Sequence, residues 1–330
     1  MMGAVKRTIK KIPGIVWASL VVLILFCIFA DNFVKPQNIE NIIKNSSILI
    51  IVSIGMTMAI LSKKIDISVG GIMTFAGMCV ALYIKPLGDA VSAGNIVIAL
   101  LMGTAIGLLI GCFNGLMIGV FNFNYWLITF ATMSVTYGVA QGMTGGNIVA
   151  GYGKLYRNAL ANGSILGIPN MVIIAVVIVV IMWFVLQRTR FGMHIYAVGD
   201  SENCARQSGI NVKKVRFAIY AVSGALAGLG GVILTARTNS AAPNLGTGYE
   251  WNAVAAVIVG GTSMSGGKGS LIGTVYGVVI ITAVMSGLQL IGLNNYWQQF
   301  FKGVFIMTVI VVDVLSARKR EQLAMRRRYK

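Results

Sequence analysis

The sequence predicts an all-α, polytopic membrane protein of about ten transmembrane helices, with both termini on the cytoplasmic side and some helices short or broken. Three observations predict it. Of 330 residues, 57% are hydrophobic and only 11% are charged, whereas about a quarter are charged in soluble domains. The apolar residues fall in long runs separated by short polar breaks, the pattern of successive bilayer spans. The Lys and Arg residues gather at the ends of those runs and are shared unequally between alternate breaks.

Ten crossings are read, at residues 14–33, 46–62, 67–84, 96–118, 124–142, 170–187, 217–236, 251–263, 270–292 and 299–315. The first follows KRTIKK but lacks a small-residue cleavage site, and Asp31, Asn32 and Phe33 come directly after it. It reads as an uncleaved first span. The second, third and eighth are shorter than the ~20 residues of a straight span. They read as tilted, broken or re-entrant segments shielded by neighbours. In the fourth, Gly103, Gly107 and Gly111 recur every four residues, and Gly224/Gly228 and Gly273/Gly277 repeat that spacing, which lets helices approach closely in lipid. Between the fifth and sixth lies the longest external segment, 143–169, a turn-rich loop and a plausible docking surface. The whole chain, 1–330, reads as one transmembrane domain with a basic cytoplasmic tail at 316–330.

Between the sixth and seventh crossings lies the strongly polar segment 188–216, RTRFGMHIYAVGDSENCARQSGINVKKVR. Its Arg188, Arg190, Arg206, Lys213, Lys214 and Arg216 place it on the cytoplasmic side. Its centre, Ser201–Ser208, predicts a short helix started by Asp200 or Ser201 as N-cap and stopped at Gly209. Such a helix, held between two spans, is a handle that another protein can grip. With the N-terminus inside, twenty of the 27 Lys and Arg residues lie inside and seven outside. The net charge of +18 therefore follows membrane topology and not a nucleic-acid footprint.

The chain lacks the residues of an enzyme or a metal site. His194 is the single histidine, and the arginines beside it place it outside the membrane, so neither a two-histidine metal site nor an intramembrane triad forms. Cys27, Cys79, Cys112 and Cys204 have no metal or disulfide spacing and read as small buried hydrophobes. GGTSMSGGKGS at 260–270 fails the Walker pattern at two positions, because Gly267 stands where Lys is needed and Gly269 follows Lys268. It reads as a Gly-rich cytoplasmic turn. Asp66, Glu250 and Asp313 are the ionisable residues that could reach membrane depth, a default functional signal. Asp66 also suits a helix N-cap, and Glu250 suits the positive end of a helix. The remaining polar span residues are uncharged, among them Asn114, Thr129, Thr132, Ser223, Thr274, Thr282 and Gln289. Hydroxyls and amides suit either interhelical hydrogen bonds or a neutral polyhydroxylated solute.

RTRFGMHIYAVG followed by SGINV, then ARTNSAAPNLGTGYEWNAVAAVIVGGTSMSGGKGSLIGT, resembles the permease subunits of bacterial ABC sugar importers, the ribose, galactose, xylose and autoinducer-2 permeases. KKIDISVGG, Asn114–Gly115 and LITFATM add to the resemblance, which spans about residues 38–315. It implies a multi-pass protein of the bacterial inner membrane that does no covalent chemistry. Two permease copies, as homodimer or heterodimer, would enclose a solute pathway. Two ATP-binding cassette subunits would bind Mg-ATP, leaving this chain without a cofactor, and a periplasmic or extracellular binding protein would deliver the sugar. Segment 188–216 would be the cytoplasmic coupling loop, with Glu202, Cys204, Ala205 and Gly209 in its ATPase-coupling motif. Pathway candidates are Asp66, Asn114, Thr129, Glu250 and Asn252. The chain departs from the family at Cys204, where alanine is commoner, at Tyr125, where proline is common, and at Asn252, where several relatives have aspartate. Competing readings are an importer for autoinducer-2, a polyol or a nucleoside, an ion-coupled carrier, and a membrane scaffold. The scarcity of buried acids disfavours the ion-coupled carrier.

Overall fold

The computed structural model describes residues 23–311, apart from 295, 302, 305, 306, 309 and 310. Its helices are α1 (Pro36–Leu61), α2 (Val69–Ile84), α3 (Ala93–Gly115), α4 (Tyr125–Thr144), α5 (Asn170–Arg188), α6 (Arg190–Asp200), α7 (Glu202–Gln207), α8 (Val212–Thr238), α9 (Tyr249–Val259) and α10 (Leu271–Leu290). Residues 23–29 are also helical. Six helical stretches among the described residues are long and apolar enough to cross a membrane. Among the described residues strand structure is confined to two-residue pairings: β1 (Val149–Ala150) with β4 (Ser240–Ala241), and β2 (Ser164–Ile165) with β3 (Ile168–Pro169). The all-α, polytopic architecture is that read from the sequence. Most of the first crossing, part of the tenth, Asp313 and the 316–330 tail lie outside the described residues.

Helix α8 is the axis of the bundle. Along one face, a Cβ on Gly107 would overlap the carbonyl oxygen of Gly224, and one on Gly224 would overlap that of Gly107. Gly103 meets Gly228, and Gly111 meets Tyr220 and Ala221, in the same way. Here α3 and α8 lie backbone to backbone, which only glycine permits. Gly273 and Gly277 of α10 meet Gly260 and Ala256 likewise. These periodic glycines are packing surfaces. On its other faces α8 receives Gly55 of α1 against Ser223, and Met73 of α2 against Gly231.

Two α-helices are short, α2 reaching a full span only with the 3-10 turn Lys85–Ala90 that continues it, and they explain the short third and eighth crossings. Helix α2 has 16 residues and α9 has 11, about 24 and 16 Å at 1.5 Å per residue. Helix α2 does not start at the end of the bundle. Asp66, just before it, meets Ser223 of α8, eleven residues into that helix. The loop before α9 reaches the same level, with Gly246 N–H donating to Thr74 Oγ1 at 2.8 Å and packed against Gly70. Two helix N-termini therefore meet inside the bundle.

Several sequence readings need correction. The second crossing begins at Pro36 and not at 46, and has 26 residues. The segment 188–216 is not a loop around one short helix, because Thr189 caps the amphipathic α6 and α8 already begins at Val212. Its short length and its place inside a polar segment hid α6, which carries charges only at its ends, Arg190 and Asp200; Ile195 and Val198 are buried while Met193 is exposed. The 143–169 segment is anchored, since Tyr156 is buried and its hydroxyl donates to Val232 O at 3.1 Å. Cys27 and Cys204 are exposed, not buried.

The glycine interface yields a direct test. Gly224→Ala should destabilise the protein by about 1–3 kcal/mol through overpacking, read as a lower thermal midpoint in detergent. Gly138→Ala, where a Cβ meets open space, should be neutral or stabilising.

Candidate functional site

The interior polar network forms where α2 starts. Asp66 is fully buried. Its carboxylate accepts from Ser68 N at 3.1 Å, from Ser68 Oγ and from Ser223 Oγ at 2.7 Å. Asn114 Nδ2 donates to Ser68 Oγ at 2.9 Å, and Thr132 Oγ1 donates to Asn114 Oδ1 at 2.6 Å. Ser68, not Asp66, holds the N-cap position of α2. The carboxylate nonetheless sits at that positive helix end, as the dipole favours. Glu250 does the same for α9. It is buried in the first turn and accepts from Gly248 N at 3.1 Å. Its carboxylate also lies where a side chain on Gly70 would have to go.

Five pathway candidates thus fall in four places. Asp66 and Asn114 share one network. Glu250 lies at the start of the second half-helix. Thr129 is buried and donates to Tyr125 O at 2.7 Å within its own helix. Asn252 lines a cavity.

That cavity, of about 760 Å³, lies between α1, α8, α9 and α10. Helix α1 contributes Asn38, Asn41 and Asn45, α8 contributes Arg237, and α9 contributes Tyr249 and Asn252. Thr282, Ser286 and Gln289 come from α10, and Gln298 from beyond it. Ser286 Oγ donates to Asn38 Oδ1 at 2.6 Å, and Arg237 Nη1 donates to Asn45 Oδ1. Sequence reasoning missed most of this lining. Asn38, Asn41 and Asn45 are three and four residues apart, one face of a helix, but they precede the assumed start of the second crossing. Arg237 read as an ordinary charge of an external break.

At the opposite end of the bundle stands α7. Ser201 caps it by accepting from Cys204 N at 3.3 Å, and Gly209 adopts φ +80° just after it. This is the short capped helix expected from the sequence. Ala205 faces inward and is buried, while Cys204 and Gly209 are exposed. Glu202 turns inward: it pairs with Arg206 at 2.6 Å and with the buried Arg216 of α8. Arg216 Nη1 also donates to Asn122 Oδ1 at 3.4 Å. Lys64 sits 4.8 Å from the ring centre of Tyr125, one of the family departures. Partial burial and then the charge of Arg216 lower the Lys64 pKa, with Glu202 opposing. Desolvation raises the Glu202 pKa, but Arg206 and Arg216 together outweigh it and hold the carboxyl below its ordinary value of 4.5. The loop 260–270 packs here too, with Gly267 N–H donating to Leu61 O at 2.9 Å, and so does Lys63, whose Nζ donates to Asp200 O at 3.0 Å.

Half-helices meeting inside a bundle, a solute-sized polar cavity at one end and an exposed capped helix at the other define a membrane permease. The chain belongs to the family described as "Branched-chain amino acid transport system / permease component", which matches residues 38–310. It is 38% identical to the ribose import permease protein of Bacillus subtilis (strain 168), over 89% of each chain. It is 34% identical to the galactose/methyl galactoside import permease protein of Escherichia coli (strain K12), over 93% of this chain and 96% of that one. It is 33% identical to the D-allose transport system permease protein of the same strain, over 91% and 90%. No solved structure matches the chain.

The Glu202 pair makes a prediction with a sign. A lowered folded-state pKa stabilises above the ordinary value of 4.5, and that stabilisation is lost as pH falls through the lowered value. Glu202→Gln should cost about 1–2 kcal/mol at pH 7, moderated by the partial exposure of Glu202. In thermal unfolding, the gap between variant and unmodified protein should close at pH values below the carboxylate range.

Proposed function

We propose that this chain is the transmembrane subunit of an ATP-binding-cassette importer for a monosaccharide, a pentose or a hexose, in the bacterial inner membrane. The observation that carries this is the similarity, over about nine-tenths of the chain, to curated permeases named for ribose, galactose and allose import. In this reading ten crossings place both termini in the cytoplasm. Two permease copies pair with two ATPase subunits that hold Mg-ATP, and an external binding protein delivers the sugar. ATP-driven closure of the ATPases moves the α7 helices, and the spans alternate between outward- and inward-open arrangements.

The family description itself favours one second reading, a branched-chain amino acid as cargo. The cavity chemistry argues against it. The ammonium group of an amino-acid zwitterion pairs best with a carboxylate, and among the described residues the cavity offers it only neutral amide and hydroxyl oxygens. An ion-coupled carrier is weaker still, because the carboxylates of Asp66 and Glu250 accept hydrogen bonds beside helix starts, as structural groups do.

The test is uptake in proteoliposomes by the permease with its ATPase and binding protein. ATP-dependent entry of ribose, galactose or allose, absent without the ATPase, is expected. Uptake that persists without the ATPase, or that is specific for leucine or valine, would sink the proposal. The exposed Cys204 supplies a second check. A water-soluble maleimide should modify it in the isolated permease and should do so at least tenfold more slowly once the ATPase is bound, since a docked interface excludes solvent.

A further inference from the structure

We infer that the amide-lined cavity is a sugar-binding site, with Asn252 and Arg237 as its reading groups and a neutral polyhydroxylated solute as its ligand. This rests on the transport reading above.

Four observations support it. The volume of about 760 Å³ falls in the ~300–1,000 Å³ range of small-molecule sites. The lining is weighted toward neutral hydrogen-bonding groups: Asn41, Asn45, Asn252, Ser286 and Gln289. Asn252 Oδ1 is buried without a hydrogen-bond partner among the described residues, a costly state that a ligand hydroxyl would relieve. Arg237 has no carboxylate within 4 Å among the described residues and donates to Asn45 instead. Its guanidinium carries five N–H donors in all, enough to serve a ligand as well.

Together these groups match a sugar hydroxyl, which both donates and accepts. Asn252 Oδ1 accepts a hydrogen bond from a ligand hydroxyl, while Arg237 and the amide nitrogen of Gln289 donate to its oxygens. The uncompensated guanidinium repels cationic solutes. The location is also suited to transport. The cavity lies toward the end of α8 away from α7, lined by Arg237, and the first turn of α9, beside the half-helix junction, lines it through Tyr249 and Asn252. A solute resting there has entered the protein but has not passed the half-helix junction.

The test uses the full complex in nanodiscs with Asn41→Cys as a reporter of cavity occupancy, labelled by a water-soluble maleimide. Leu166→Cys, 98% exposed on the external loop, is the control. Ribose, galactose and allose are added as free sugars. We expect at least one to slow labelling at Asn41→Cys but not at Leu166→Cys. Adding Asn252→Ala or Arg237→Gln should raise the sugar concentration needed for that protection by about tenfold, the worth of a good hydrogen bond to a ligand. Both variants should also lower the maximal uptake rate. Normal labelling of Leu166→Cys in each variant checks that the external face is intact. The site is overturned if the complex transports sugar but none protects Asn41→Cys, or if both variants keep unmodified protection and uptake. Protection by inorganic phosphate or ribose 5-phosphate with none by a neutral sugar would overturn the ligand class. Absence of ATP-driven sugar uptake by the unmodified complex would count against the transport reading itself, and the protection data would then stand separately.

Discussion

Backbone-to-backbone approach along α8 is the constraint on which the rest of the molecule depends. Lipid offers little hydrophobic drive for helices to associate, so they hold together by close packing and interhelical hydrogen bonds. Gly224 and Gly228 bring α3 against one face of α8, and Gly231 brings α2 against another. With those distances set, Ser223 reaches Asp66 and Tyr156 reaches Val232. Displacing α3 or α2 by the width of one methyl group would break the polar contacts that depend on the same spacing.

The meeting of two half-helices follows from a second rule of the bilayer. Backbone N–H groups inside the membrane must find partners within the protein, and a helix that starts there exposes its first four. The sequence places one acid beside each start. Asp66 accepts from Ser68 N and Glu250 from Gly248 N, and each carboxylate lies at the positive end of a helix dipole. Both buried acids are therefore occupied structurally. The groups left facing open space are mostly amides, hydroxyls and one guanidinium, the chemistry on which the proposed sugar site rests.

Helix α8 also links α7 to the cavity. Arg216 near its start pairs with Glu202 of α7, and Arg237 near its finish lines the cavity. Twenty-one residues separate them, about 32 Å along a helix. Between them α8 carries Ser223, the partner of Asp66 at the half-helix junction. One continuous helix thus touches α7 at one end, the junction at its middle and the cavity at the other. In the importer reading, Glu202 orients α7 from within, and the exposed Cys204 and Gly209 are left for the ATPase.

The sequence by itself determined the helical membrane class, the capped helix at Ser201–Ser208, the packing role of the spaced glycines and the acids at two helix starts. Each is written in local pattern: hydropathy, N-cap chemistry, a four-residue repeat, a charge beside an apolar run. It also flagged the third and eighth crossings as too short. Only the tertiary structure decided that these two begin inside the bundle and face each other, because a run of apolar residues has the same composition at any depth. It alone joined Asn41, Arg237, Asn252 and Gln289 around one cavity, since residues from four distant segments share no spacing. Glu202 shows the division within a single side chain. Its place in the first turn of α7 is legible from Ser201 and Gly209, but its bond to Arg216 exists only because α8 folds back beneath that helix.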